Sequence, residues 1–397
     1  MTTPVLRRTL AEKLAPHSGH RRLLSLDGGG IRGVITIQVL KRIESLLRAE
    51  LSAGSDFRLC HYFDYVAGTS TGAILAACIA WGMSADEMDS FYRTSGEEMF
   101  KKAGLLDAIM KHGYDAWPLT QRLRQVFAFD GEPITLGSDR LRSLLLMVMH
   151  NVTSDSPWPV TNNPSAKYNQ RGGPGRTSTS SNLDLPLWQL VRASTAAPTY
   201  FPPERITMAG RTHVFADGGI TPFNNPAFQL FLEATLDPYR LLWPSGKDKL
   251  LIVSVGTGTF PHVIPKIEKS NPNKLESALA AIDSLMNSAV HFQDLLCRAF
   301  GHCRFGDWID REVGTLAENA FGSLPFGVPK GTGERLFTYV RYDLELTAGG
   351  LEEVGCKHVA PSDVQKLDAT DQIIALGEVG EGLAKKVDPS HFQGFLS

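Results

Sequence analysis

The sequence predicts an α/β fold built on a central, mostly parallel sheet, and three stretches carry that expectation. Arg22-Leu23-Leu24-Ser25-Leu26 reads as a short strand, runs into the glycine loop Asp27-Gly28-Gly29-Gly30-Ile31-Arg32-Gly33, and is followed by a helical apolar pattern. Tyr62 to Trp81 repeats the order of strand, glycine-flanked turn and apolar helix. Leu250 to Val255 is a near-continuous apolar run, as expected of a parallel strand covered on both faces.

The elements follow in chain order. Residues 1–20 are polar and are expected to form a loose arm or a short helix. After the first glycine loop, Ile35, Val39, Ile43, Leu46 and Leu47 recur with charges between them, which is an amphipathic helix. Gly82 stops the helix that follows Ser70, and Ser84-Ala85-Asp86-Glu87 is a capping box opening another helix toward Phe100. Residues 101–135 read as short helical pieces between Gly and Pro turns, and Arg142 to Met149 as a buried strand. The Pro, Gly, Asn and Ser/Thr residues between 153 and 185 predict an extended loop, a candidate cover carrying Trp158, Lys167, Tyr168, Arg171 and Arg176, or else a solvated insertion. Leu187 to Ala197 is a helix with a small-residue end, closed by Pro198. Thr212 to Ala216 is a strand ending in Asp217-Gly218-Gly219, and Asn224-Asn225-Pro226 caps the next helix. Lys274 to Phe300 is a long core or domain-packing helix, Phe337 to Leu346 alternates like a strand, and the tail from Ser362 supplies one or two covering helices. The expected division is therefore an arm at 1–20, one α/β domain at 21–346, and a helical extension at 347–397 packed on it.

Composition narrows the function classes. A chain of 397 residues with 43% hydrophobic and 21% charged residues is ordinary globular material. A formal net charge of −2 without long charged runs gives no pull toward a nucleic acid polymer. Five cysteines, an odd count with no Cys-x-x-Cys pair, suit buried thiols in a reducing compartment. The first residues lack the pattern of a secretory signal, and no apolar stretch approaches the ~20 residues of a spanning helix. The expected setting is cytoplasmic.

Gly68-Thr69-Ser70-Thr71-Gly72 is the pattern of a strand-to-helix turn that holds a serine in a strained, exposed pose. Gly68 and Gly72 remove Cβ atoms that would clash as the chain reverses, and the helix N-terminus favours developing negative charge at Ser70. A serine hydroxyl needs a base. Asp217, rigid between a strand and the Gly218-Gly219 turn, suits that role better than Asp64, which is placed to bond backbone. His262, His291, His302, His358 and His391 follow the acid in sequence, so a Ser–Asp–His triad stands as the alternative, but none sits in a glycine-flanked turn. Gly28-x-Gly30-x-x-Gly33 also fits a dinucleotide fingerprint, which requires an acidic residue ending the next strand; that strand ends instead in Gly68-Thr69-Ser70. The glycines suit an anion-binding nest for an oxyanion, with Arg32 either adding charge or tying the loop to a carboxylate. No tight metal-ligand cluster is present, and no cofactor is expected.

Asp-Gly-Gly-Gly-Ile-Arg-Gly at 27–33, Gly-Thr-Ser-Thr-Gly at 68–72 and Asp-Gly-Gly at 217–219, in this order, resemble the three signatures of patatin-like phospholipases. The segment from Ala193 to Pro198 with Tyr200-Phe201-Pro202 resembles a further family segment. The likeness spans roughly Arg22 to Gly258 and leaves the C-terminal third without motifs. It implies a three-layer α/β/α fold with Ser70 as nucleophile, Asp217 as base, and Gly28, Gly29, Gly30 and Arg32 as the oxyanion loop. It also implies hydrolysis of phospholipid or other acyl-lipid esters, without a metal, at a membrane surface the chain does not span. Some bacterial relatives look like membrane-degrading effectors switched on by a cyclic nucleotide, a second possibility for which the residues show no sensor pocket.

Overall fold

The computed structural model describes residues 8–16, 19–99, 115–170, 181–198, 200–260, 274–307 and 335–396. In chain order the elements are α1 (Leu10–Leu14), β1 (Arg21–Leu26), α2 (Gly33–Glu50), α3 (Leu59–Tyr62), β2 (Tyr65–Thr69), α4 (Thr71–Trp81), α5 (Ala85–Met99), α6 (Trp117–Val126), β3 (Ala128–Phe129), β4 (Glu132–Pro133), β5 (Leu144–Asn151) and β6 (Ser156–Thr161). They continue with α7 (Leu187–Ser194), β7 (Glu204–Met208), β8 (Arg211–Asp217), α8 (Ala227–Thr235), β9 (Leu250–Val255), α9 (Lys274–Phe300), β10 (His302–Phe305), β11 (Thr338–Tyr342), α10 (Ala348–Glu353), α11 (Pro361–Val364) and α12 (Ile373–Ala384).

The main sheet runs β10-β11-β9-β1-β2-β5-β8-β7, with β6 also paired to β5. From β10 to β5 each adjacent pair is parallel, whereas β5–β8, β8–β7 and β5–β6 pair antiparallel. Both faces are covered, because successive side chains of a strand point to opposite sides. Leu24, Leu26, Val66, Leu145 and Met147 join one apolar cluster with residues of α2 and α4. Leu23, Tyr65, Leu144 and Leu146 join a second cluster with Ala227 and Leu230 of α8 and Cys297 of α9. The result is three layers, helix on sheet on helix.

Helix α4 is apolar on every side and buried at each position from Thr71 to Ala80, as expected of a helix inside the domain rather than at its surface. Its end is a left-handed Gly82, whose N–H donates to Cys78 and Ile79 carbonyls. The predicted capping box at the start of α5 forms, with Ser84 and Glu87 exchanging hydrogen bonds.

The structure departs from the sequence reading at several places. The segment 153–185 is not loop throughout: β6 lies within it, paired with β5 from Asn151↔Ser156 to Leu146↔Thr161. Pro157 and Pro159 lie in this strand, which among the described residues pairs with β5 alone, and an edge position lets a missing N–H face away from the ladder. Trp158 stacks on His213 and lies against Phe215, so it serves the sheet rather than a cover. The backbone N–H of Lys167 donates to Pro238, Tyr168 is exposed, and Arg171 and Arg176 lie outside the described residues. The arm is held from Arg8 onward: Arg8 pairs with buried Asp64 at 2.8 Å, and Lys13 of α1 is buried with its ammonium on the carbonyls of Cys60, Phe63 and Arg142. Asp64 also accepts the N–H of Arg22, the backbone-bonding role read for it. Strand β7 carries no apolar run and is absent from the sequence reading.

The C-terminal segment packs on the domain through α12 against α2, where Gly380 lets the two helices approach. Among the described residues no helix is long and apolar enough to cross a membrane, and all five cysteines are free.

Candidate active site

The candidate nucleophile sits where β2 ends and α4 begins. Ser70 has φ 54° and ψ −122°, a left-handed backbone conformation that a residue with a Cβ adopts only under constraint. The constraint is packing on both sides of the turn. A Cβ on Gly68 would lie 2.0 Å from the Gly72 carbonyl oxygen, and one on Gly72 would lie 2.2 Å from that of Leu26. The Ser70 N–H donates to Ser194 Oγ at 3.0 Å, and Ser194 Oγ donates in turn to the Val148 carbonyl at 2.5 Å. The small residues that end α7 therefore clamp the turn, beyond simply permitting close packing.

Asp217 reaches Ser70 through the sheet. Strand β5 pairs with β2 up to Thr69↔Val148 and then with β8 from Met149↔Asp217 onward. Since β6 covers the other edge of β5 along the same residues, β2 and β8 share one edge and meet end to end. The last residue of β8 thus abuts the last residue of β2, although the two strands run in opposite senses. The Asp217 N–H donates to Ala196, its Oδ1 accepts the Gly219 N–H at 2.7 Å, and its Oδ2 accepts the Ser70 hydroxyl at 2.6 Å. That last bond is direct, and no histidine stands between the two groups. His358 and His391 bond Glu378 and Tyr342 instead, and His262 lies outside the described residues.

Burial dominates the electrostatics of the acid. Desolvation pushes the Asp217 carboxyl up from 3.8 to about 6, opposed in part by the bonds from Ser70 and Gly219 and by the nearby charge of Arg192. A carboxylate so placed remains ionised near neutral pH yet is a better proton acceptor than an exposed one.

The glycine loop lies against the serine. A Cβ on Gly28 would lie 3.2 Å from Ser70 Cβ. Its four implied members differ in what they offer. The Gly28 N–H is already given to the Asn224 carbonyl at 3.1 Å, whereas the N–H groups of Gly29 and Gly30 have no acceptor among the described residues. Gly30 is left-handed (φ 60°) and pressed against the chain at Leu367, whose carbonyl accepts the Ile31 N–H at 2.9 Å. Arg32 is buried; its Nε reaches the Gly29 carbonyl at 3.3 Å and its guanidinium lies 5.3 Å from the Phe260 ring. Burial lowers its pKa to about 10, with Asp283 and Asp343 countering, so it remains cationic. The Arg32 side chain folds back onto its own loop, within the field of the Asp283 and Asp343 carboxylates. Gly33 starts α2 beside Thr71.

An apolar cavity opens from Ser70 and Asp217, walled by Ile74, Leu119, Phe201, Ile220 and Met286. Its lining is predominantly apolar around these two polar groups. Ser194, Asn224 and Leu367 carry no site role in the sequence reading. Ser194 lies in a small-residue stretch read for close packing and for its likeness to a family segment, Asn224 is read there as part of a helix cap, and Leu367 is an ordinary apolar residue acting through its backbone.

A family model described as patatin-like phospholipase matches residues 24–231. The chain is 30% identical over 254 residues to Patatin-17 of Solanum cardiophyllum, covering 60% of this chain and 60% of that one. It is 31% identical over 242 residues to a cGAMP-activated phospholipase of Escherichia coli (strain TW11681), covering 59% of this chain and 62% of the relative. An intracellular phospholipase A2 of Caenorhabditis elegans is 30% identical over 294 residues, covering 72% of this chain and 24% of the relative. The chain thus spans no more than 62% of the length of these relatives.

Proposed function

Because the chain belongs to the patatin-like phospholipase family, we propose that it is a phospholipase A-type lipid acyl hydrolase working through Ser70 and Asp217. The observation that carries this reading is the 2.6 Å bond from the Ser70 hydroxyl to a buried carboxylate, at the mouth of an apolar cavity and beside uncommitted backbone N–H groups.

In the proposed reaction Asp217 Oδ2 takes the hydroxyl proton as Ser70 Oγ attacks the ester carbonyl carbon. The carbonyl oxygen becomes an oxyanion, for which the N–H groups of Gly29 and Gly30 supply donors. Collapse breaks the bond to the alcohol oxygen, which leaves with the proton held by Asp217. Water then attacks the acyl-serine, giving its proton to the same carboxylate. The second collapse releases the fatty acid, and the proton returns to Ser70. The acyl chain occupies the apolar cavity, and the enzyme draws it from a membrane surface that it contacts peripherally.

The test is product analysis by mass spectrometry on mixed phospholipid vesicles, wild type beside Ser70→Ala. Free fatty acid and lysophospholipid should appear with the wild type, at a rate at least ~10³-fold above the variant. Equal release by both proteins would remove Ser70 from the chemistry.

A further inference from the structure

The oxyanion loop begins at Asp27, and Asp27 is gripped from far along the chain. Arg341 Nη1 and Nη2 donate to its two carboxylate oxygens at 2.9 and 2.6 Å. The pair is buried, with side chains 3% and 2% exposed. Arg341 lies on β11, two strands from β1, and must cross β9 to reach it. It passes over Ser254, which stands opposite it in register and accepts from Nη1 at 2.7 Å. Ser25 of β1 stands opposite Ser254, so the small residues form a row that the guanidinium spans. Asp343 accepts from Nη2 at 2.6 Å with one oxygen and from the Gly258 N–H at 3.0 Å with the other. Burial works against the charge of Arg341, but Asp27 and Asp343 outweigh it and hold the group firmly cationic.

A planar fork on a carboxylate fixes orientation as well as distance, which a point charge does not. The loop's other anchors are single bonds, among them the Gly28 N–H to Asn224 and the Ile31 N–H to Leu367. Thr257 Oγ donates to the Gly28 carbonyl at 3.0 Å, and the Asp27 N–H donates to Val255. From this geometry we infer that Arg341 is a positioning residue for the proposed reaction: through Asp27 it sets where the Gly29 and Gly30 N–H groups point. The inference rests on the acyl hydrolase reading and assigns a task to a strand that lies beyond the matched family segment.

Two variants test it, Arg341→Lys and the charge-free triple Asp27→Asn, Asp343→Asn and Arg341→Met; because the triple removes both carboxylates that Arg341 pairs with, it leaves no buried unpaired charge if the single variant folds poorly. Steady-state hydrolysis of a p-nitrophenyl ester and the rate of Ser70 labelling by an alkyl fluorophosphonate are measured on protein shown to be folded by its melting curve. Both kcat and the labelling rate should fall about 10- to 100-fold while KM stays within a factor of two, since loop placement matters when the oxygen becomes charged. A folded variant with unchanged kcat, or a loss confined to KM, would overturn the positioning role. Wild-type turnover that survives Ser70→Ala would overturn the hydrolase reading itself, and the inference with it.

Discussion

Asp217→Asn tests the proposed base and its burial together. Asn keeps the shape of Asp, can still accept the Gly219 N–H, and cannot take a proton from Ser70. The carboxyl titrates at about 6 in the fold against an ordinary 3.8. Its folded-state value is the higher one, so the folded state binds the extra proton between those limits. Its stabilising contribution is therefore complete below 3.8 and is lost as pH rises through about 6. The gap of about two pH units, at 1.36 kcal/mol each, is worth about 3 kcal/mol, of which about 2 kcal/mol falls between pH 4.5 and pH 8. For a chain of this length that is a change of about 2–3 °C in Tm. Melting curves of both proteins at the two pH values should show the variant gaining that much on wild type at pH 8 relative to pH 4.5. Ester hydrolysis by the variant should be lost by at least ~10³-fold, and the wild-type kcat/KM should rise with pH through about 6 as the carboxylate forms. A Tm difference that does not change with pH, or turnover retained by the variant, would refute the claim that a buried, ionised Asp217 is the base.

Two further predictions concern the turns. Gly30→Ala places a Cβ 2.3 Å from the Leu367 carbonyl oxygen at a left-handed position, and should lower both Tm and kcat, the latter by about 10²-fold, in melting and ester assays. Ser70→Gly should be more stable than Ser70→Ala by about 1–2 kcal/mol in urea denaturation, because only glycine adopts φ 54° and ψ −122° without strain. Equal midpoints for the two variants would show that the turn is relaxed.

The glycines at 28–30, 68 and 72, Ser70 and Asp217 were legible in the sequence because each answers a local demand: a turn that admits no Cβ, a hydroxyl at a helix N-terminus, an acid at a strand's end. Local demands leave marks on residue type. Strands β1, β2, β5 and β9 were legible for the same reason, burial on both faces requiring apolar runs, whereas the edge strand β10, half-exposed and without such a run, was not. What the sequence could not express was partnership. Strand β7 is short and buries only Ile206 between charged and polar neighbours, so it left no apolar run to read. That β2 and β8 meet end to end on the edge of β5 follows from register, which no single segment contains. Arg341, Ser194 and Leu367 act through a guanidinium spanning three strands, a hydroxyl relay and one backbone carbonyl. Their residue types are unremarkable until folding brings them to the loop and the turn they hold. The local chain geometry of the candidate site was thus a property of the sequence, whereas its assembly was decided by the packing of segments up to 314 positions apart.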